Sequence, residues 1–181
     1  VESSGDALEY ASDELKKDKE VVLEAVKSKG EVLQFADAKL KRDKEVVLAA
    51  VKHVYGGALE HASAELKKDK EVVLAAVQEG IWALQYADTE LRKDKEVVLV
   101  AVESSGNALE YASDELKKDK EVVLAAVKSS ADALQYADAK LKKDKQFILA
   151  AVKRNGYALE HASAELKKDK EVVLAAVQES G

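Results

Sequence analysis

A twelve-residue string that joins charged to apolar residues recurs along this chain and constrains its fold more than any other feature. In its first copy, from Leu15 to Val26, it reads Leu-Lys-Lys-Asp-Lys-Glu-Val-Val-Leu-Glu-Ala-Val. Near copies begin at Leu40, Leu66, Leu91, Leu116, Leu141 and Leu166. Self-similarity at a fixed period of about 20–50 residues is the signature of a solenoid, in which each repeat contacts its neighbours along the stack.

The register of the array is marked by one leucine that lies seven residues before each copy. These markers are Leu8, Leu33, Leu59, Leu84, Leu109, Leu134 and Leu159. Their spacing predicts one array over residues 1–181, made of seven repeats of about 25 residues. We number the repeats one to seven, with approximate bounds 6–30, 31–55, 56–80, 81–105, 106–130, 131–155 and 156–181.

Each repeat has the pattern of two helices joined by a single helical turn. In repeat one, residues 7–11 place their apolar side chains on one face of a short amphipathic helix. Residues 12–17 fit a single helical turn, of either the α or the 3₁₀ type. Asp18 then stands where a carboxylate accepts the first amide hydrogens of a second helix. We therefore predict an all-α fold, a right-handed αα-solenoid of seven helical-hairpin repeats.

The apolar residues of the second helix cover about 200° of its circumference, twice the usual stripe. Neighbouring repeats must therefore cover it on both sides. Repeat six carries Phe147 where other copies have the first valine of the Val-Val pair. Because a phenylalanine would overpack a closed site, we predict that this row of side chains is partly open.

Glycines stand between the second helix of one repeat and the first helix of the next in most copies, as at Gly5, Gly30 and Gly106. A helix that ends in the left-handed conformation requires glycine at that place. The glycines therefore predict left-handed C-terminal caps.

Composition excludes several classes of protein. Apolar residues make up 47% of the chain and charged residues 35%, which is too hydrophobic for a disordered tail. The net charge is −6 and lysines alternate with acids, so no basic stripe is available to bind nucleic acid. No apolar run approaches the roughly 20 residues that a membrane span needs. There is no cysteine, and no residue pattern predicts a cofactor.

Two recurring residue types invite a chemical role, and each has a structural interpretation that we favour. The aspartates equivalent to Asp18 could form a carboxylate ladder for calcium. Helices pack about 8–10 Å apart, however, whereas calcium needs oxygens at about 2.3–2.6 Å, so we predict helix caps. His61 and His161 occupy the position of Tyr10 and Tyr111, which predicts aromatic-sized packing residues. We therefore expect no catalysis and no metal site.

The strings Ala108–Val127 and Asn155–Leu159 closely resemble a tandem helical repeat family known as domain of unknown function forty-one sixteen. The resemblance covers essentially all of the chain. It implies helical tandem repeats in long arrays, and it brings with it no activity, cofactor or catalytic residue.

The position two residues before each marker leucine varies far more than the framework does. It is occupied by Asp6, Glu31, Gly57, Trp82, Asn107, Asp132 and Tyr157. With residues of the adjoining turns, it could form an exposed band that anchors a protein partner. The candidate protein-binding residues are Trp82, Tyr157, Tyr55, His53, Ile81 and Arg154. The alternative is drift at a tolerant helix start.

Two functions are open at this point. The first is a structural scaffold that forms a segment of a longer array or stacks end to end with further copies of itself. It is suggested by the common phase of Val1-Glu-Ser-Ser-Gly5 and Val177-Gln-Glu-Ser-Gly181. The second is a protein-binding module that uses the variable aromatic residues.

Overall fold

A computed structural model describes residues 5–52 and 57–179. Within these ranges every regular element is a helix, and the helices recur in the same order along the chain. The chain divides into two compact bodies, residues 1–91 and 92–181, each of which is described by itself. No helix in the described ranges combines the length and the apolar character needed to cross a bilayer.

The α-helices include one long helix for each copy of the recurring string, together with two short ones. Their bounds are α1 Lys19–Ser28, α2 Lys44–Val51, α3 Lys70–Glu79, α4 Ala83–Tyr86, α5 Lys95–Ser104, α6 Lys120–Ser129, α7 Ala139–Lys143, α8 Lys145–Val152 and α9 Lys170–Glu179. In the first body α1 packs on α2 and α2 on α3. In the second, α5 packs on α6, α6 on α8, and α8 on α9.

Short 3₁₀ helices fill most of the remaining chain. Those at the start of a repeat are Gly5–Tyr10, Gly30–Phe35, Gly57–His61, Gly106–Tyr111, Ala131–Tyr136 and Gly156–His161. The single turns before the long α-helices are Leu15–Lys17, Leu40–Arg42, Leu66–Lys68, Leu91–Lys93, Leu116–Lys118 and Leu166–Lys168. The predicted single turns are thus confirmed, and a repeat contains three helical elements rather than a plain hairpin.

The sequence predicted that the first element of a repeat is a short amphipathic helix, on the assumption of α-helical geometry. In the structure this element is usually a 3₁₀ helix. In repeat two, Gly30, Leu33 and Ala36 are all buried. Residues three apart lie on one edge of a 3₁₀ helix, so this geometry aligns the three buried positions. The same spacing recurs at Gly106, Leu109 and Ala112, which are also buried.

The predicted left-handed caps are wrong. The residues that follow α1 and α6 are Lys29 and Ser130, and both are extended, with φ of −151° and −148°. Neither of the predicted cap glycines Gly5 and Gly106 has a positive φ. Gly5 is required by close approach, because a Cβ there would lie 2.7 Å from the carbonyl oxygen of Ala25.

The Val-Val pair divides its contacts between the two neighbours of a repeat. The first valine is only half buried in repeat one, as Val21, and fully buried in repeat two, as Val46. The second is fully buried in repeat one, as Val22, and half buried in repeat seven, as Val173. The first valine therefore faces the preceding repeat, and the second faces the following one.

Phe147 belongs to the row that faces the preceding repeat, and the prediction that this row is partly open is wrong. Its side chain is 2% exposed. Repeat six differs locally from the others, because the turn before Phe147 is the α-helix α7 rather than a 3₁₀ turn. The row is closed, and the larger ring occurs together with a wider helical turn.

Candidate functional site

The boundary between neighbouring repeats, which we call the seam, is the site that the recurring residues build. At the seam between repeats one and two, Oδ1 of Asp43 accepts the N–H groups of Glu45 and Val46 at 3.0 and 3.3 Å. Oδ2 of Asp43 lies 2.7 Å from the ammonium of Lys19, in the preceding repeat. That ammonium is also 2.8 Å from Glu45 Oε2. One carboxylate thus caps a helix and binds the repeat before it.

The same arrangement recurs in both bodies, with nitrogen–oxygen distances between 2.6 and 2.9 Å. It pairs Lys44 with Asp69 and Glu71, Lys95 with Asp119 and Glu121, Lys120 with Asp144, and Lys145 with Asp169 and Glu171. In repeat six Gln146 replaces the glutamate, so Lys120 pairs with the aspartate. The recurrence ties these ion pairs to the seam itself and not to one chance contact.

The seam is ionic at neutral pH. The hydrogen bond from Lys19 holds the pKa of Asp43 below its ordinary value, and the N–H groups of Val46 and Glu45 act in the same direction. The pKa of Lys44 is raised by its hydrogen bonds to Asp69 and Glu71. Exposed pairs of this kind contribute only about 0.2–1 kcal/mol each. They therefore fix the register of the seam more than they stabilise it.

A backbone hydrogen bond accompanies the ion pair at each of these seams. The N–H of Asp37 donates to the carbonyl of Lys16, in the preceding repeat, at 3.0 Å. The same bond joins Ser63 to Lys41, Asp88 to Lys67, Ser113 to Arg92, Asp138 to Lys117, and Ser163 to Lys142. A seam is therefore defined by three contacts: apolar packing, an ammonium on one or two carboxylates, and one backbone bond.

In repeat one, the face that a preceding repeat would cover is open. Leu15 is 46% exposed, whereas its counterpart Leu66 is 8% exposed. Ala7 is exposed here, although its counterpart Ala58 is buried. These residues, together with Ala11, Val21 and Ala25, line an apolar groove of about 390 Å³. We call this surface the N-terminal face.

In repeat seven, the face that a following repeat would cover is open in the same way. Val177 is 63% exposed, whereas its counterpart Val127 is fully buried. Leu174 is exposed and Val173 is half buried, although the corresponding Leu124 and Val123 are half and fully buried. We call this surface the C-terminal face.

A repeat domain built in this way has a counterpart among known sequence families. The family model described as Domain of unknown function (DUF4116) matches residues 1–41, 19–55, 43–92, 94–142 and 144–181. The chain belongs to this family. The match over 43–92 contains two marker leucines, Leu59 and Leu84, so one family domain corresponds to two of the short repeats. No curated protein and no solved structure matches the chain.

The sequence-predicted binding residues of this DUF4116 chain fall into three groups. Ile81 and Trp82 precede α4 in the first body, and their side chains are exposed. Arg154 and Tyr157 adjoin in the second body, and both are exposed. Because these two groups lie in separate bodies, the single continuous protein-binding band that they were expected to form stays a prediction. The other two, His53 and Tyr55, lie outside the described residues.

The aspartates and histidines that suggested chemistry have local structural partners. Every aspartate of the ladder accepts a backbone N–H at the start of its own α-helix, as Asp18 does from Glu20 and Val21. Burial lowers the pKa of His61, and Nε2 of His161 lies 3.3 Å from Asp132 Oδ1. In residues 5–52 and 57–179, no group of three or more acidic or histidine side chains is arranged to hold a metal ion.

Proposed function

We propose that this chain is a non-enzymatic structural scaffold, a right-handed αα-solenoid of seven repeats of about 25 residues that is a segment of a longer array or stacks end to end. One observation carries the proposal. The seam of Lys19, Asp43 and Glu45 is rebuilt with the same three contacts in both compact bodies. A surface that is reproduced so closely is suited to adding repeats.

The use of the polar residues supports a structural role. The recurring aspartates cap helices, and the recurring lysines form ion pairs with the next repeat. These two contacts explain why both residue types recur in every repeat. The remaining groove of note, about 800 Å³ between α5 and α6, is lined by Leu99, Leu124, Glu121 and Lys128 among others. One of these groups already serves the seam, because Glu121 lies 2.7 Å from the ammonium of Lys95, which supports a structural role for this surface.

Deletion of one repeat tests this proposal. Removing residues 106–130 joins Ser105 to Ala131 and preserves the phase of every remaining seam. We expect a folded chain with the same helix content per residue and a slightly lower melting temperature, because repeat stabilities add nearly independently. Circular dichroism and thermal melts measure both.

The matched control removes half a repeat, residues 106–118, which leaves an α-helix without the first element on which it packs. We expect this variant to lose cooperative unfolding. If the whole-repeat deletion unfolds as completely as the half-repeat deletion, the chain is not a modular array and the scaffold proposal fails.

A protein-binding module is the second candidate, and exposed aromatic side chains favour it. Tyr157 is 73% exposed and Trp82 is 46% exposed, although aromatic side chains of this size are mostly buried. Aromatic residues of this kind provide much of the binding energy at protein interfaces. Their positions in the variable turns would allow different repeats to contact a partner differently.

Alanine substitution tests the second candidate. Trp82→Ala, Tyr157→Ala and Tyr55→Ala in one variant should abolish capture of a partner and leave helix content unchanged. Each truncation of an anchor residue costs about 2 kcal/mol or more of binding energy. Tyr10→Ala is the control, since Tyr10 is 84% exposed but lies outside these turns. Unchanged capture by the triple variant would reject the binding role, and the measurement is a pull-down quantified against wild type.

A further inference from the structure

We propose that the groove between α5 and α6 binds a short segment of another protein that presents a leucine-sized apolar side chain beside one or more carboxylates. The inference goes beyond the scaffold role, because it assigns an interaction surface to the long helices and states the kind of partner that fits it. It depends on residues of the second body alone, all of them in repeats four to six.

The floor of this groove is apolar. Leu99 and Leu124 occupy the same position on α5 and α6, and both side chains are half buried, with Ala125 beside them. The helix α6 already packs on both α5 and α8, so the partial exposure of Leu124 does not reflect a missing neighbour in the array. Apolar side chains that stay accessible in a groove rimmed by polar groups are typical of a protein-binding surface.

The charged groups that line the groove are unequally paired. Glu121 is held by the ammonium of Lys95 at 2.7 Å. Lys128 and Arg154 also line the groove, and within residues 5–52 and 57–179 neither cation forms an ion pair. Two cations are therefore available to a carboxylate from outside the chain. A second acid in the lining, Glu103, and the net charge of −6 oppose a polyanion such as nucleic acid.

Repeat one contains the carboxylate that repeat five lacks. Its helix α1 carries Glu24 where α6 carries Ala125, and Lys27 where α6 carries Lys128. The ammonium of Lys27 lies 2.7 Å from Glu24 Oε1. Repeat five keeps the lysine without the acid, so the place that the Glu24 carboxylate takes in repeat one is open to a carboxylate of a partner.

The apolar floor and the unpaired cations together define the partner. Its apolar side chain packs on Leu99 and Leu124, and its neighbouring carboxylate binds Lys128 and Arg154. Amphipathic peptide segments that dock in grooves between helices carry this combination of side chains. Arg154 is one of the sequence-predicted binding residues, and the groove uses it without the exposed aromatic residues.

Selection from a phage-displayed library of random peptides tests the proposal. The immobilised full chain should enrich peptides in which a leucine, isoleucine, methionine or phenylalanine lies within one helical turn of an aspartate or glutamate. The library is counter-selected on the Ala125→Glu variant, so that peptides bound elsewhere on the chain are removed. The affinity of an enriched, fluorescently labelled peptide is then measured by fluorescence polarisation. It should fall as salt is raised to about 1 M, where the Debye length is about 3 Å.

Two substitutions close the site in different ways. Ala125→Glu places the carboxylate of repeat one beside Lys128, and Arg154→Glu reverses the charge of the other cation. Each should weaken binding of the enriched peptide at least about tenfold. The matched controls are Ala75→Glu, the same change at the equivalent position of α3, and Lys153→Glu, the same reversal one residue away from the groove lining. Both controls should bind the peptide like wild type, and circular dichroism checks that every variant is folded.

Three results would overturn the inference. The first is that no enriched peptide distinguishes the wild type from Ala125→Glu, and the second is that the peptides that do so lack a carboxylate. The third is a wild type that self-associates and an Ala125→Glu variant that does not, because a second copy would then occupy the groove. Each of these results leaves the scaffold proposal intact, since that proposal fails separately, through the deletion of residues 106–130.

Discussion

Val127→Asp should lower the free energy of unfolding by more than about 3 kcal/mol, enough to unfold much of the second body at room temperature. Val127 is fully buried near the end of α6, in the row that faces the following repeat. The carboxylate would therefore be desolvated without a partner, or would bind a proton and still remain poorly hydrogen-bonded.

Val177→Asp is the matched control, since Val177 is the counterpart of Val127 in repeat seven and is 63% exposed. We expect it to change the free energy of unfolding by less than about 0.5 kcal/mol. Urea unfolding followed by circular dichroism measures both variants. Equal destabilisation of the two would contradict the assignment of these valines to one side of the seam.

The parts of this fold that follow local rules could be predicted from the sequence. A carboxylate before a Lys-Glu-Val-Val run is a helix cap whatever surrounds it, and Asp18 and Asp69 cap their helices as predicted. The single turn at Leu15–Lys17 is likewise a short-range feature. The wide apolar arc of the second helix indicated neighbours on both sides, and α2 packs on both α1 and α3.

The ammonium group that binds the second carboxylate oxygen of each capping aspartate could not be predicted in the same way. Lys44 and Asp69 are 25 residues apart, and no short-range rule connects an ammonium to a carboxylate at that separation. One signal was present, because a lysine follows the capping aspartate in every copy, although lysine is mostly an exposed residue. A surface residue that is kept in every copy indicates that its side chain has a partner. The repeat length of the chain indicates that this partner lies in the neighbouring repeat.

The alternation between serine and aspartate at the start of the single turns has a similar explanation. In the sequence, serine stands three residues after a glutamate and aspartate three residues after a glutamine, so each repeat keeps one carboxylate at this spacing and avoids a repulsive pair. In the structure Asp88 accepts the N–H of Glu90, and Ser63 accepts the N–H of Leu66, so both residue types cap the turn. Both also use their own backbone N–H to bond the preceding repeat. The position therefore requires a small capping side chain of either kind.

The need for glycine at the start of a repeat was predicted correctly, but the predicted reason, a left-handed backbone, is wrong. Sequence alone cannot distinguish a glycine needed for positive φ from one needed because another segment comes close, since both exclude a side chain. The structure separates the two cases at Gly106. A Cβ there would overlap the carbonyl oxygen of Ala126 and lie 2.9 Å from Cβ of Ser130, and the backbone is not left-handed.

Gly106→Ala should therefore lower the free energy of unfolding by about 1–3 kcal/mol, because the end of α6 must move to admit a methyl group. Repeat six carries Ala131 at the equivalent position, so the size of the loss depends on how far the end of the packed helix can move. Differential scanning calorimetry and urea unfolding measure the loss.

Gly57→Ala is the control, since Gly57 occupies the variable position two residues before its marker leucine and not the position of Gly106. A Cβ at Gly57 would come no closer than 3.7 Å to a neighbouring atom, the Oε1 of the flexible Glu31 side chain. With φ negative and space available, alanine should leave the free energy of unfolding unchanged or raise it by about 0.4–1 kcal/mol, by restricting the unfolded chain. A loss at Gly106 with none at Gly57 would show that the cost of a methyl group depends on the contact with the end of α6. Equal losses at the two positions would contradict that explanation.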